Sequence, residues 1–334
     1  MTYRKADAVL FGFDFQVNAA IVIMLENIRD LNSVRFEGES EDIEIELSNG
    51  ECILAQAKSV VKSSTDFINV RSNLKKALHS LSEGNKRVKA EKLILITNSS
   101  NPLNENVSRN LFWGTAHRAF DSLPATSQKI INDYLGDIND PLDVSKFSIQ
   151  ILPFETDDAR ERYKAVMQTI NDFVGDIKLT IPGLGKKLHE IWREDIFING
   201  TKNNSEIRLT KKELIWPIIV LETDTEYIEE GLRDQFDPGQ YDEIVRQYKA
   251  IIDSCCEHYE FFTKVLYDYK EYGRDMNQRE RTSAFVLNKW KEYSSEFNVN
   301  GIDSETLESL TRVILYNIIR RRHEIERIKQ GVNL

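Results

Sequence analysis

The chain has 334 residues, of which 41% are hydrophobic and 29% are charged, and its formal net charge is −10. This composition is typical of a folded globular protein of about two domains and excludes a largely disordered chain. The three cysteines and five histidines show neither a disulfide framework nor the spacing of metal ligands. An acidic chain binds polyphosphate poorly, so contact with a nucleic acid would need a local basic surface or a partner subunit.

Nothing in the sequence predicts export or membrane insertion. The N-terminal segment MTYRKADAVLFGFDF has basic residues but neither a long apolar core nor a small-residue cleavage site. No stretch approaches the roughly 20 apolar residues that are needed to span a bilayer. We therefore expect a cytoplasmic protein that makes no contact with a membrane.

Hydrophobic periodicity predicts an α/β domain that ends near residue 155. Apolar residues at helical spacing predict helices, while alternating or short continuous apolar runs predict strands. The predicted elements are a helix over 11–31, strands over 34–37, 42–47 and 52–58, a helix over 66–83, a strand over 92–97, a helix over 112–135 with a candidate break at Pro124, and a strand over 147–154.

After residue 155 the strand signal nearly vanishes, and the sequence predicts helices instead. We divide this part into a helical connector over 156–208 and an all-helical domain over 209–334. Thr210 and Glu213 have capping-box spacing near the start of that domain. The predicted helices cover 159–173, 184–193, 214–221, 239–272, 278–297 and 304–330.

The predicted helix over 239–272 carries a heptad seam. Its apolar residues alternate at spacings of three and four, the pattern of helices that pack along one stripe. The seam fits an antiparallel helical hairpin within its own domain, or a surface for a partner subunit or a second copy. The seam residues are Val245, Tyr248, Ile252, Cys255, Tyr259, Phe262, Leu266 and Tyr269.

The segment 34–58 contains the residues with the clearest chemical meaning. Asp42 is followed, after thirteen residues, by Gln56 and then Lys58. A nuclease that uses Mg²⁺ needs hard oxygen ligands beside the scissile phosphate, and the Asp42 carboxylate and the Gln56 amide carbonyl can supply them. Lys58 would position or deprotonate the attacking water and offset charge in the transition state.

The hairpin between the two strands decides whether Asp42 faces Gln56. A two-residue turn would put Asp42 opposite Ala57, on the wrong face. A three-residue loop over 48–50, with Gly50 left-handed, puts Asp42 opposite Gln56 and collects the apolar residues on the other face. We predict this second register, because a slip of one residue would turn every side chain to the opposite face.

Further candidates flank Asp42, Gln56 and Lys58. Glu37 or Glu39 could reach the metal, and Gln16 could border the site from the first helix. The simpler alternatives are a solvated strand face and a polar residue near a helix N-terminus. Basic residues after the strand over 52–58 could contact DNA phosphates or serve only as solvated charge: Lys62, Arg71, Lys75 and Lys76.

Four short motifs occur in order along the first half of the chain. They are Gly12-Phe13-Asp14-Phe15-Gln16 ahead of a helix, the acid-rich run Glu39 to Ile43, Gln56-Ala57-Lys58-Ser59, and Thr97-Asn98-Ser99 at the end of a strand. Their order and spacing resemble those of PD-(D/E)xK double-stranded DNA endonucleases that act as effectors of bacterial anti-phage defence. The resemblance covers roughly residues 8–155 and extends to the nuclease of cyclic-nucleotide-triggered defence and the nuclease subunit of Lamassu-type systems.

The resemblance implies a fold, a cofactor and roles for individual residues. The fold would be a restriction-endonuclease-like core with a mixed central sheet flanked by helices. Asp42 and Gln56 would bind Mg²⁺ or Mn²⁺, and Lys58 would be the catalytic lysine. Superfamily members usually carry an acid where this chain has Gln56, which keeps a non-catalytic scaffold with the same fold as an alternative. A third alternative is an α/β protein of another function.

The helical half resembles, more loosely, the C-terminal regions of nuclease subunits from three-component systems with an SMC-like ATPase. The stretch from Arg281 to Trp290 and the long helix before it carry this likeness. It implies that the C-terminal half docks on the ATPase, alongside a small accessory subunit, and that the ATPase restrains the nuclease. Activation would then be release or homo-oligomerisation on a DNA duplex.

Overall fold

A computed structural model describes the chain over residues 6–61, 69–155, 157–223, 244, 259–296 and 303–334. The chain divides into two compact units. The first comprises Met1–Leu214 together with Val332–Leu334, and the second comprises Ile215–Gly331.

The first unit combines a seven-stranded sheet with helices. Its strands are β1 Leu31–Phe36, β2 Ile43–Leu47, β3 Cys52–Lys58, β4 Ala90–Thr97, β5 His117–Ala119, β6 Phe147–Ile151 and β7 Leu209–Thr210. Its helices are α1 Ala6–Glu26, α2 Val70–Arg87, α3 Ala125–Leu135, α4 Ala159–Asp176 and α5 Leu184–Gly200. The predicted mixed sheet with flanking helices is therefore confirmed.

The sheet has the strand order β5-β6-β4-β3-β2-β1-β7. Strands β3, β4 and β6 run parallel, and every other neighbouring pair is antiparallel. The C-terminal ends of β3, β4 and β6 therefore meet at one side of the sheet, where β2 and β5 begin. We call this side the carboxyl edge. Ligands of open α/β sheets bind outside such an edge, because the connecting loops gather there.

Helix α1 has the length and hydropathy of a membrane span, which corrects the expectation that no such stretch exists. It covers 21 residues with a mean hydropathy of 1.9, and 61% of its apolar window is buried. Its neighbours are β1, β2, β3, α4 and α5. A helix that is apolar around most of its circumference is expected where other elements surround it, so packing within the first unit accounts for its composition.

The first unit continues beyond residue 155, where we predicted that the α/β domain ends. Helices α4 and α5 pack on α1, and β7 pairs with β1. The buried guanidinium of Arg35 donates to the backbone carbonyls of Asn199 and Lys202, at 2.6 and 2.7 Å. The segment 156–208 is therefore part of the α/β unit rather than a connector, because packing between distant segments holds it there.

The helix predicted over 112–135 is correct only in its second half. Residues 112–124 contain an irregular loop, β5 and a short 3₁₀ turn, and α3 begins at Ala125, directly after Pro124. Pairing of β5 with β6 supplies backbone hydrogen bonds that a helix would otherwise have made. Pro124 is compatible with a helix start but not with a helix interior, since it lacks an N–H donor.

Every described element that lies mainly in the second unit is a helix, as predicted. Thr210 and Glu213 form the predicted capping box ahead of the first of them, with the Thr210 N–H donating to Glu213 Oε2 at 2.8 Å. The first four positions of the predicted heptad seam, Val245 to Cys255, lie outside the described residues. The helices are α6 Lys211–Thr223, α7 Tyr259–Glu271, α8 Gln278–Ser294, α9 Ser304–Arg320 and α10 Arg322–Val332.

Candidate functional site

The β2–β3 hairpin has the register that the sequence predicted. Ile43 pairs with Ala55, and both side chains are fully buried. Gly50 has a φ of +82°, the left-handed conformation that glycine adopts without steric cost. One pair further along the same register, Asp42 lies opposite Gln56. The hairpin therefore brings the two proposed metal ligands together at the carboxyl edge.

Asp42, Gln56 and Lys58 are in direct contact. The Asp42 Oδ2 atom accepts hydrogen bonds from the Gln56 amide nitrogen and from the Ala57 backbone N–H, the latter at 3.0 Å. Lys58 Nζ lies 3.9 Å from the same oxygen. Gln56 is buried, whereas the side chains of Lys58 and Asp42 keep 28% and 17% of their surface exposed. The cluster is thus fixed from within the sheet and reaches solvent at its lysine.

Glu41 is a fourth member of this cluster that we did not single out from the sequence. Its residue is 5% exposed, and among the described residues its carboxyl oxygens make no hydrogen bond of good geometry, although the Ser80 side chain approaches them as a donor. Burial, followed by the negative charge of Asp42, raises the pKa of Glu41 to about 8, with Ser80 and Lys58 opposing the shift. At neutral pH the Glu41 carboxyl is therefore largely protonated, and a nearby cation would favour its ionised form.

Helix α2 covers Glu41 because Gly84 has no side chain. A Cβ atom at Gly84 would lie 2.8 Å from the Ser40 carbonyl oxygen and 3.3 Å from Glu41 Cγ. Arg87, near the end of α2, donates a hydrogen bond to the Glu39 carbonyl. Gly84 was the sequence feature that could have indicated a close approach to α2. Local sequence patterns could not predict that the approaching segment would be Ser40 and Glu41.

We expect Gly84→Ala to destabilise the protein by about 1–3 kcal/mol. Alanine is favoured over glycine in a helix by about 1 kcal/mol, but the Ser40 carbonyl belongs to the backbone and cannot swing aside. Gly175→Ala is the matched control, because a Cβ at this position of α4 would meet nothing within 4 Å. Urea unfolding should show a lower midpoint for Gly84→Ala and an equal or higher one for Gly175→Ala. Equal stability of the two variants would contradict the close contact.

The other two acidic candidates have different surroundings. The Glu37 backbone N–H donates to the Asp42 carbonyl at 2.8 Å, and burial and then the charge of Asp42 raise the pKa of Glu37. The carboxylate of Glu39 instead accepts a hydrogen bond from the Ser205 hydroxyl at 2.7 Å. Glu37 thus lies within electrostatic range of Asp42, while Glu39 is engaged by the segment after α5.

Gln16 lies one helical turn beyond Gly12 in α1. A Cβ atom at Gly12 would be 3.7 Å from Ser59 Oγ, so this face of α1 approaches the end of β3. Gln16 is half-buried, and in the described part of the chain it makes no hydrogen bond to Asp42 or Gln56. Gln16 therefore lies on a face of α1 that approaches the end of β3, and it makes no hydrogen bond to the proposed ligands within the described residues.

The basic side chains predicted to contact phosphates differ in whether other groups of the protein already engage them. Lys75 pairs with Asp137 at 2.7 Å, and Arg71 donates to the Asn104 carbonyl at 3.5 Å. Lys76 is exposed on α2 and has no carboxylate partner within the described ranges. Lys62 lies outside the described residues. Lys76 and Arg71 are therefore better placed than Lys75 to meet a phosphate.

Asn98, from the fourth sequence motif, holds the chain that follows Lys58. Its buried side chain accepts from the Val60 N–H at 2.8 Å and donates to the carbonyls of Val60 and Phe154, at 2.9 and 3.0 Å. These bonds join the segments that leave β3, β4 and β6 at the carboxyl edge. Asn98 is thus a positioning residue for the end of β3.

The donor atoms at this site suit Mg²⁺ better than zinc. The described residues contain no group of three or more His, Cys, Asp or Glu side chains that could hold a metal. The cluster offers the carboxyl groups of Asp42 and Glu41 and the amide of Gln56. Mg²⁺ is commonly bound through one or two carboxylates while it keeps several waters. Gln56 turns its amide nitrogen toward Asp42, so a cation would require the amide to rotate by half a turn.

Comparison with known proteins gives no relative. No protein-family model, no curated protein and no solved structure matches this chain. The functional argument therefore rests on the geometry and chemistry of the site.

Proposed function

We propose that this chain is a metal-dependent endonuclease of the PD-(D/E)xK superfamily that cuts double-stranded DNA. The proposal rests on one observation, the hairpin register that puts Asp42 opposite Gln56 with Lys58 Nζ 3.9 Å from the Asp42 carboxylate. The mixed sheet, with α2 connecting the parallel strands β3 and β4, is compatible with a restriction-endonuclease-like core.

Asp42 and the Gln56 carbonyl would hold Mg²⁺ or Mn²⁺, with Glu41 as a further carboxylate. The burial of Glu41 supports a cation here, because its carboxyl group is largely protonated at neutral pH and a bound cation would offset the cost of ionising it. The bound metal would polarise the scissile phosphate and lower the pKa of the attacking water.

Lys58 would stabilise the charge that develops during hydrolysis. As water adds to phosphorus and the bond to the leaving oxygen breaks, negative charge grows on the phosphate oxygens. The partly exposed ammonium of Lys58 can donate hydrogen bonds to these oxygens or to the attacking water. Asp42 restrains the lysine by its own charge, so one carboxylate serves both cation binding and lysine orientation.

The wider setting that we propose is anti-phage or anti-plasmid defence in the cytoplasm. The net charge of −10 and the pairing of Lys75 with Asp137 leave this chain with a weak general attraction for DNA. An SMC-like ATPase and a small accessory subunit would therefore deliver the DNA and restrain cutting. The helical second unit would provide the docking surface, and assembly of several copies on one duplex would activate the enzyme.

A non-catalytic scaffold subunit is the second candidate. It is favoured by Gln56, which replaces an acid and donates its amide nitrogen to Asp42 rather than presenting an oxygen. Such a contact satisfies both side chains without a metal. Metal binding separates the two candidates.

We expect calorimetric titration of Mn²⁺ into the full chain to show binding that Asp42→Asn abolishes. The substitution removes the only charged oxygen that contacts both Gln56 and Lys58 among the described residues. Asp137→Asn is the control, because it removes the charge of a carboxylate that pairs with Lys75 and does not belong to the cluster of Asp42, Gln56 and Lys58. Binding that survives Asp42→Asn would contradict the proposed ligands, and no binding by the unaltered chain would favour the scaffold.

A further inference from the structure

The segment between β4 and β5, residues 98–116, forms what we call the edge loop. It begins and ends at the carboxyl edge, since the Ile151 N–H donates to the Ala116 carbonyl at 2.7 Å and Ile151 pairs with Thr97. Leu103 and Phe112 anchor the loop in the hydrophobic cluster that also contains residues of α2. The loop is therefore held by packing rather than being a loose connection.

The edge loop lies on the same face of the sheet as the proposed catalytic cluster. Leu54 belongs to the cluster that anchors the loop, and Leu54, Gln56 and Lys58 are alternate residues of β3, which share a face. Pro102 from the loop and Lys58 line one small cavity of about 10 Å³, room for a single water. The base of the loop thus adjoins the proposed catalytic lysine.

The tip of the edge loop exposes two large apolar side chains. Trp113 is 77% exposed and Val107 is 62% exposed, although the neighbouring Phe112 is fully buried. Gly114, directly after the tryptophan, has a φ of +62°. An indole offers a large, rigid apolar surface, and leaving it in water is unfavourable unless a partner covers it. Trp113 therefore presents an uncovered aromatic surface that is available to a partner.

The charges of the edge loop and β5 favour an anionic partner. Residues 98–119 contain two arginines and one acid, Glu105, in a chain whose net charge is −10. Glu105 Oε1 accepts hydrogen bonds from the hydroxyls of Ser108 and Ser127, so the single carboxylate is engaged within the fold. Arg109 is exposed and has no carboxylate partner in the part of the chain that the structure describes. The solvent-facing charge of this segment is positive.

We propose that the edge loop grips the DNA duplex beside the cut, with Trp113 stacking against bases and Arg109 contacting a phosphate. This inference rests on the proposed nuclease function and names how that site takes hold of its substrate. Three strand spacings separate β5 from β3, about 14 Å at roughly 4.8 Å per strand. At about 3.4 Å per base pair, this separation of the strands corresponds to about four base pairs, so the loop that leads into β5 would meet the duplex beside the scissile phosphate rather than at it.

A tryptophan at this distance can act without base-specific contacts. Side chains that insert between base pairs unstack them and bend the duplex, which lets more of the protein surface reach the backbone. Stacking of a base on an aromatic side chain contributes to affinity whatever the base, because every base has a π face. The loop would therefore strengthen binding without making it sequence-specific.

The test uses the full chain carrying Lys58→Ala, so that cutting is slow while DNA binding is measured. Binding of a short fluorescent duplex is measured by anisotropy, with 2-aminopurine placed in a second duplex to report unstacking. Adding Trp113→Ala should raise Kd by about tenfold and abolish the 2-aminopurine signal, while Trp113→Phe should retain part of both. Adding Arg109→Ala should reduce the slope of log Kd against the logarithm of the salt concentration by about one, the effect of losing one phosphate contact. The matched control is Tyr267→Ala, which removes an exposed aromatic ring from α7.

The outcomes separate this inference from the nuclease proposal. An unchanged Kd and an unchanged 2-aminopurine signal in Trp113→Ala would overturn the inference, as would the absence of duplex binding, even if the unaltered chain cuts DNA. Retention of duplex binding by Trp113→Ala together with loss of binding to a protein subunit would also overturn it and assign the tryptophan to a protein interface. Weaker duplex binding in Trp113→Ala would support the inference even if the unaltered chain fails to cut.

Discussion

Replacing Lys58 with alanine is expected to lower the rate of Mg²⁺-dependent DNA cutting by a factor of about 10²–10³. The lysine is the cationic group nearest the proposed ligands, and its removal leaves the developing charge on the phosphate without its donor. Stability should change little, because a partly exposed ion pair with a 3.9 Å separation contributes little to folding. Conversion of supercoiled plasmid to linear DNA, followed over time, measures the rate.

The control for this experiment is Lys164→Ala, which removes an exposed lysine of α4 that pairs with Glu161. It should cut like the unaltered chain. Cutting by Lys58→Ala at the unaltered rate would exclude the proposed role of the lysine. A steep dependence of cutting on protein concentration would indicate activation by assembly. If the unaltered chain fails to cut both alone and with the proposed ATPase partner, the scaffold alternative is favoured.

Glu41→Gln is expected to make the protein more stable and less active at the same time. In the folded chain the pKa of Glu41 is about 8, whereas the ordinary pKa of a free glutamate side chain is 4.5. Between these values the folded chain binds more protons than the unfolded chain, so the free energy of unfolding falls as pH rises through this window. Glutamine cannot ionise, so the variant should gain up to about 4 kcal/mol at pH near 7.5.

The gain in stability should disappear at low pH, where both the folded and unfolded chains hold the Glu41 proton. Urea unfolding below and above neutral pH therefore tests the burial of the carboxyl, with Glu190→Gln as a control at an exposed site. DNA cutting should fall by about 10- to 100-fold, the usual effect of losing a supporting group at a metal site. If Glu41→Gln is more stable but cuts DNA at the unaltered rate, Glu41 is a buried residue without a role in catalysis.

The local sequence was sufficient to predict the pairing of Asp42 with Gln56, because the β2–β3 hairpin alone determines it. The alternation of Ile43, Ile45 and Ile53 with polar residues, together with Gly50, selects one register, because any slip would expose the apolar face. That register determines that Asp42 meets Gln56. The capping box at Thr210 is likewise a short-range feature, and it was predicted for the same reason.

Contacts between distant segments decided the rest. Glu41 is buried because α2 closes over it at Gly84, and two residues so far apart share no local pattern. Residues 156–208 join the α/β unit through α1 and Arg35, and a periodic apolar stripe does not reveal which surface it covers. Sequence by itself determined five of the seven strands, the hairpin register and the helical character of the second unit, whereas β5 and β7 were not predicted. The tertiary structure decided which charges lie in a low-dielectric interior and which aromatic rings, Trp113 among them, remain in water, because burial depends on every element that packs nearby.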